Sequence, residues 1–200
     1  MGWRHPLGMT PGIRPAALPA PGTREQTRFP GYDVLSELPR WDAVTAGVVL
    51  RRLGPPPTLS FFTPHEQAVA SALFDQLLDQ HSEPRVPVLE LVDARLAAGQ
   101  GDGWHHERLP PDPQAWRVTL QHLDEDARAV FGRGFADCDP EQQVGLLQEV
   151  QERTQAGDSD ERRTWHDLPA KYVWSLWTRY AAAAFYSHPL VSLIVGEVGL

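Results

Sequence analysis

Thr63-Pro64-His65-Glu66, continued by Gln67-Ala68-Val69-Ala70-Ser71-Ala72-Leu73-Phe74-Asp75-Gln76-Leu77, decides the fold class. A hydroxyl at the N-cap, a proline at the first helical position and a glutamate three residues past the cap make the reciprocal capping arrangement that starts an α-helix. Ala68, Val69, Ala72, Leu73 and Leu77 then recur on one face to about Gln80. Downstream the same grammar repeats. A second helix begins near Val86-Pro87 with Val88, Leu89, Val92 and Leu96 inward, and Gly99 is placed to end it. Asp112-Pro113 opens a third with Trp116, Leu120 and Leu123 on one face. A further segment from Asp124 to about Ala136 carries Ala127, Val130, Phe131 and Phe135, interrupted by Gly132 and Gly134. Asp139-Pro140-Glu141-Gln142 repeats the cap and leads through Val144, Leu147 and Val150 to about Gln155. The last helix is expected from about Asp167 to Tyr186, with Leu168, Tyr172, Leu176, Tyr180 and Ala183 on one side, broadened by Trp174 and Trp177. Nothing alternates with period two for long enough to make a strand. Residues 59–200 therefore read as an all-α domain, an irregular bundle of five or six helices.

Upstream the texture changes. Residues 1–58 hold ten of the nineteen prolines, and their seven Arg against four acids give a net charge of +3, whereas the remainder carries −11. Proline fixes φ and removes a donor, so the segment favours an extended arm. Residues 1–28 are rich in Pro, Gly and Ala with little to bury and are expected to be disordered. Residues 29–58 add anchors, Phe29, Tyr32, Val34, Leu35 and Trp41, and a short helix is expected over Asp42–Arg52 with Val44 and Val48 on one face. Such anchors bury themselves on the protein's own body or on a partner, and both remain open at this stage.

Composition removes several functions. Two hundred residues with 42% apolar content suit one domain plus an arm. The net charge of −8 argues against nucleic-acid binding, which needs a basic face. No apolar run approaches the roughly 20 residues of a membrane span. The single cysteine, Cys138, excludes an internal disulfide framework and any cysteine-built metal centre. Residues Arg4-His5-Pro6-Leu7-Gly8 lead into no apolar h-region, so the expectation is a cytoplasmic protein, periplasmic only if carried by a partner.

Catalytic constellations are sparse. Gly99-Gln100-Gly101-Asp102-Gly103 follows a helix and precedes Trp104-His105-His106, the reverse of the strand-then-helix setting a dinucleotide loop needs. His105 and His106 beside Glu107 could hold a metal in a small independent enzyme, although adjacent helical residues diverge by about 100°. Cys138 lies between Asp137 and Asp139, which raise a thiol's pKa. Ser187-His188 has no acid near it in sequence, and Asp124/Asp126 read as helix-capping acids. Seven tryptophans stand out. Trp116 and Trp174 suit the core, whereas Trp41 and Trp104, on segments with little core of their own, are of the type that anchors protein contacts.

Phe61-Phe62-Thr63-Pro64-His65-Glu66, Val88-Leu89-Glu90-Leu91-Val92-Asp93, Leu123-Asp124-Glu125-Asp126-Ala127-Arg128, Phe131-Gly132 with Phe135, Gln143 ahead of Leu146-Leu147, and Phe185-Tyr186-Ser187-His188-Pro189 occur in this order. Together they resemble the small (gamma) subunit of gluconate 2-dehydrogenase, the subunit 3 family, over about Phe61 to Pro189. The resemblance implies a non-catalytic helical subunit, with no cofactor of its own, that binds and stabilises or matures a large FAD-dependent dehydrogenase of the glucose-methanol-choline class. That large subunit oxidises a sugar or polyol, often with a cytochrome subunit passing electrons on. Candidate partner-binding residues are Phe29, Tyr32, Trp41, Trp104, Trp165, Tyr186 and His188. Two departures bear on this reading. The twin-arginine signal of many relatives is not found here, and Leu190–Leu200 is aliphatic where relatives carry a Gly- and aromatic-rich tail. The alternatives are the metal-dependent enzyme built on His105, His106 and Glu107, and a self-contained helical protein whose arm packs on its own body.

Overall fold

The computed structural model describes residues 34–101, 106–155 and 163–191. Among these the fold is all-α, as expected. A 3-10 turn, Val34–Arg40, precedes six α-helices: α1 Ala43–Arg52, α2 Pro64–Leu78, α3 Val88–Ala97, α4 Asp112–Phe131, α5 Pro140–Gln155 and α6 Ala170–Tyr186. The α6 helix packs against α2, α3, α4 and α5 and forms the hub of the bundle. No helix among the described residues is long and apolar enough to cross a membrane.

The capping box at α2 forms as the sequence demands: Glu66 N donates to Thr63 Oγ1 at 3.3 Å, and Thr63 N donates to Glu66 Oε2 at 2.8 Å. The inward stripe is Val69, Ala70, Leu73 and Phe74, with Ala68 turned to the surface. This rotation seats Phe74 against Trp116, ring centres 5.5 Å apart. Trp116, Trp177 and Tyr180 are the largest fully buried side chains. Two of their polar atoms are satisfied inside the core: Trp177 Nε1 donates to Thr119 Oγ1 at 3.0 Å, and the Tyr180 hydroxyl donates to Asp112 Oδ2 at 2.6 Å. Such pairing removes the cost of burying a polar group.

Three departures from the sequence reading have physical causes. Residues 112–131 form one continuous helix, so Asp124 is not a cap. It is buried mid-helix, where Oδ1 accepts Phe135 N at 2.9 Å and Oδ2 meets Arg128 Nη2 at 2.8 Å and His65 Nε2 at 3.0 Å. Termination falls instead to Gly132, whose φ of 68° lies in the left-handed region that glycine adopts without strain. A small hairpin, β1 Thr164–Trp165 paired antiparallel with β2 Leu168–Pro169, precedes α6, which starts at Ala170 rather than near Asp167.

The loop after α4 is held so tightly that Gly134 has no room for a side chain. A Cβ there would lie 2.6 Å from Asp124 Oδ1. Gly134→Ala is expected to cost about 1–3 kcal/mol by overpacking, read as a lower denaturation midpoint with an unchanged helical circular dichroism spectrum. Beside it Gln143 is a buried polar junction. Its Nε2 donates to Phe135 O at 2.9 Å and Cys138 O at 3.1 Å, while Oε1 accepts Gln76 Nε2 at 2.7 Å, joining α2, α5 and the loop.

Candidate partner interface

Asp42 starts α1: its Oδ1 accepts the backbone N–H groups of Val44 at 2.9 Å and Thr45 at 3.0 Å, and its Oδ2 accepts the Thr45 hydroxyl at 2.6 Å. The helix that follows buries no residue. Val44, Val48 and Leu50 are 77%, 40% and 53% exposed, and no apolar side chain of α1 joins the core cluster. An isolated ten-residue helix is marginal in water, so α1 depends on contacts outside its own backbone.

Its C-terminal end is tied to the end of α6. Arg52 Nη1 donates to Ser187 O, and His188 Nε2 lies 2.6 Å from Arg52 O. His188 Nδ1 accepts Leu190 N at 3.2 Å, so the ring is in its neutral form with the proton on Nε2, donated to Arg52 O. Burial pushes the His188 pKa below its ordinary 6.5; the Arg52 charge acts in the same direction, and the bond to the Arg52 carbonyl opposes it. Because the folded-state pKa is depressed, this contribution to stability is complete above about pH 6.5 and is lost as pH falls toward the lower folded value. The melting temperature should therefore drop between pH 7.5 and 5.5 by more in the native protein than in His188→Gln, whose amide cannot titrate.

Beside this tie Tyr186 is 73% exposed, its ring edge-on to Phe185 with centres 5.3 Å apart. The sequence-derived candidates thus divide. His188 meets the end of α1 from inside, and Tyr186, two residues before it, is at the surface. Trp41 is half-buried just ahead of α1. Trp165 is buried, and its indole N–H donates to Asp126 Oδ2 at 2.7 Å. Phe29, Tyr32 and Trp104 lie outside the described residues, as does the segment 1–28. Sequence reading places Val44 and Val48 on one helical face and offers Leu50 as an apolar anchor, but does not single out Arg52, whose importance depends on where α1 docks.

His106 is stacked flat on Tyr172, ring centres 3.6 Å apart, with Nδ1 accepting Arg108 N at 3.2 Å. Glu107 is exposed, and His105 lies outside the described residues. Cys138 is buried; its thiol pKa is raised chiefly by that burial, with Asp139, Asp137 and Asp124 adding to the shift and Arg133 opposing it. Both ring nitrogens of His188 are occupied by the backbone.

A family model described as gluconate 2-dehydrogenase subunit 3 matches residues 64–194. No curated protein and no solved structure matches the chain. The matched stretch takes in α2 to α6, with the Asp124 and Gln143 junctions and His188, while α1 and Arg52 precede it. The chain belongs to the gluconate 2-dehydrogenase subunit 3 family.

Proposed function

We propose that this chain is the non-catalytic accessory subunit of a multi-subunit oxidoreductase, binding and stabilising or maturing a large FAD-dependent dehydrogenase of the glucose-methanol-choline type. The flavin and the sugar- or alcohol-oxidising chemistry belong to that partner, with a cytochrome subunit as a further member of the assembly. The observation that carries the reading is α1: a capped helix presenting Val44, Val48 and Leu50 to the outside, fixed at one end beside exposed Tyr186. Val44 and Val48, one helical turn apart, form an exposed apolar strip of the kind that marks interaction sites, and aromatic anchors such as Tyr concentrate binding energy. Family membership supports a place in a multi-subunit oxidoreductase.

The test is the partner's folding. A flavoprotein of this class encoded beside the chain should give more soluble, FAD-loaded protein when co-expressed with it than alone. Equal yield and equal flavin content in both cases would refute the stabilising role.

A further inference from the structure

The β1–β2 hairpin carries His166 onto α4, where its ring lies face to face with that of His122. The two imidazoles are within 5° of parallel and their centres are 4.2 Å apart. His122 Nδ1 is 3.1 Å from Glu125 Oε2, and His166 Nε2 is 2.7 Å from Asp126 Oδ1. One donor atom each from His122, Glu125 and His166 falls within 4.8 Å of the other two. Among the described residues no other three His, Cys, Asp or Glu side chains converge in this way.

Beyond proximity, the surroundings are those of a ligand set. A metal-bound histidine usually gives its second ring N–H to a carboxylate, which fixes the ring's tautomer and orientation. Asp126 does this for His166, and the buried indole of Trp165 holds the other Asp126 oxygen at 2.7 Å. That leaves His166 Nδ1 as its ligand nitrogen. Two imidazoles and one carboxylate suit zinc and its first-row neighbours; calcium and magnesium prefer all-oxygen shells.

We propose that His122, Glu125 and His166 bind one divalent first-row transition-metal ion, of the zinc type, which clamps the β1–β2 hairpin onto α4. Metal–ligand bonds of about 2.0–2.1 Å place tetrahedral ligand atoms roughly 3.3 Å apart, so the side chains close inward by about an ångström or more on binding. Each nitrogen must also point at the metal in the plane of its ring, so the rings fan out from their stack. The side chains have freedom to do so: His122, Glu125 and His166 are 22%, 49% and 29% exposed. Water takes the fourth position. The ion joins residues 40 or more apart in sequence, which makes it a structural cross-link.

The experiment uses the full chain, stripped with a chelator and titrated calorimetrically with zinc chloride. The expected result is one equivalent bound and, at about a hundredfold excess over the dissociation constant, a melting temperature raised by about 5–10 °C. His122→Gln, Glu125→Gln and His166→Gln should each weaken binding at least about tenfold, and His81→Gln should leave it unchanged. Zinc uptake that is equal in the native protein and the His122→Gln/His166→Gln double variant would overturn the proposal, as would no saturable binding up to millimolar zinc. Should the double variant fail to fold, cobalt(II) added to the native protein decides. Intense visible bands of a tetrahedral nitrogen–oxygen site support the proposal, and the weak spectrum of hydrated cobalt overturns it.

Discussion

Asp93→Ala is expected to destabilise the protein more than any other single polar substitution, by about 3–5 kcal/mol out of a typical total of 5–15. The Asp93 carboxylate is fully buried on α3 and accepts four hydrogen bonds from three consecutive amides. Oδ1 accepts Ser60 N at 2.7 Å and Phe61 N at 3.1 Å, and Oδ2 accepts Phe61 N at 3.0 Å and Phe62 N at 2.8 Å. Removing it strands these donors, at about 1–3 kcal/mol for each that stays away from water. It also frees the segment that seats Phe62 against Trp116, ring centres 6.1 Å apart, and that joins α1 to the body. Asp93→Asn retains one accepting oxygen but turns an NH2 group toward amide donors, so a loss of roughly half that size follows. Urea denaturation checks both; a shift below about 1 kcal/mol in Asp93→Ala would show that the amides find other partners.

The second large effect is on binding. Val44→Asp combined with Leu50→Asp puts two charges on the exposed surface of α1. A carboxylate left unpaired in an apolar contact is costly to desolvate, so partner affinity should fall at least about a hundredfold. The isolated chain should be nearly indifferent, within about 0.5 kcal/mol for each change, because neither side chain is buried. Val130→Asp, at a comparably exposed position on α4, serves as the control that should leave affinity intact. This separation of binding from stability distinguishes an interaction helix from an arm packed on its own body. In the latter case the double variant would lower stability instead.

What the sequence made legible was local. The capping box at Thr63, the Asp42 cap and the prolines at the starts of α2, α4 and α5 are short-range signals, and the helices appear where they point. What it concealed was long-range. Asp93 serves amides 31 to 33 residues away, and Gln143 joins Gln76 across 67. Asp124 resembles a cap because an acid ahead of an apolar run is one in most settings; the distant His65 and the Phe135 amide claimed it instead. The hairpin escaped notice because strands of two residues carry no period, and its turn places His166 and Asp167 at φ of 49° and 62°, where glycine or asparagine is the usual marker. For the candidate interface, Val44, Val48 and Tyr186 could be found from helical spacing and aromatic placement. Arg52 and the inward role of His188 could not, since both follow from how α1 meets α6.

The most direct measurement of the accessory-subunit reading is the mass of the species formed when this chain and the proposed flavoprotein partner are co-expressed, purified through a tag on the flavoprotein and passed over a sizing column with light-scattering detection. The account predicts one flavin-containing peak, heavier than the flavoprotein alone by one copy of the 22.3 kDa chain, which loses that increment when Val44 and Leu50 are both replaced by aspartate. A flavoprotein eluting at its own mass at micromolar concentration, with this chain absent from the peak, would contradict it.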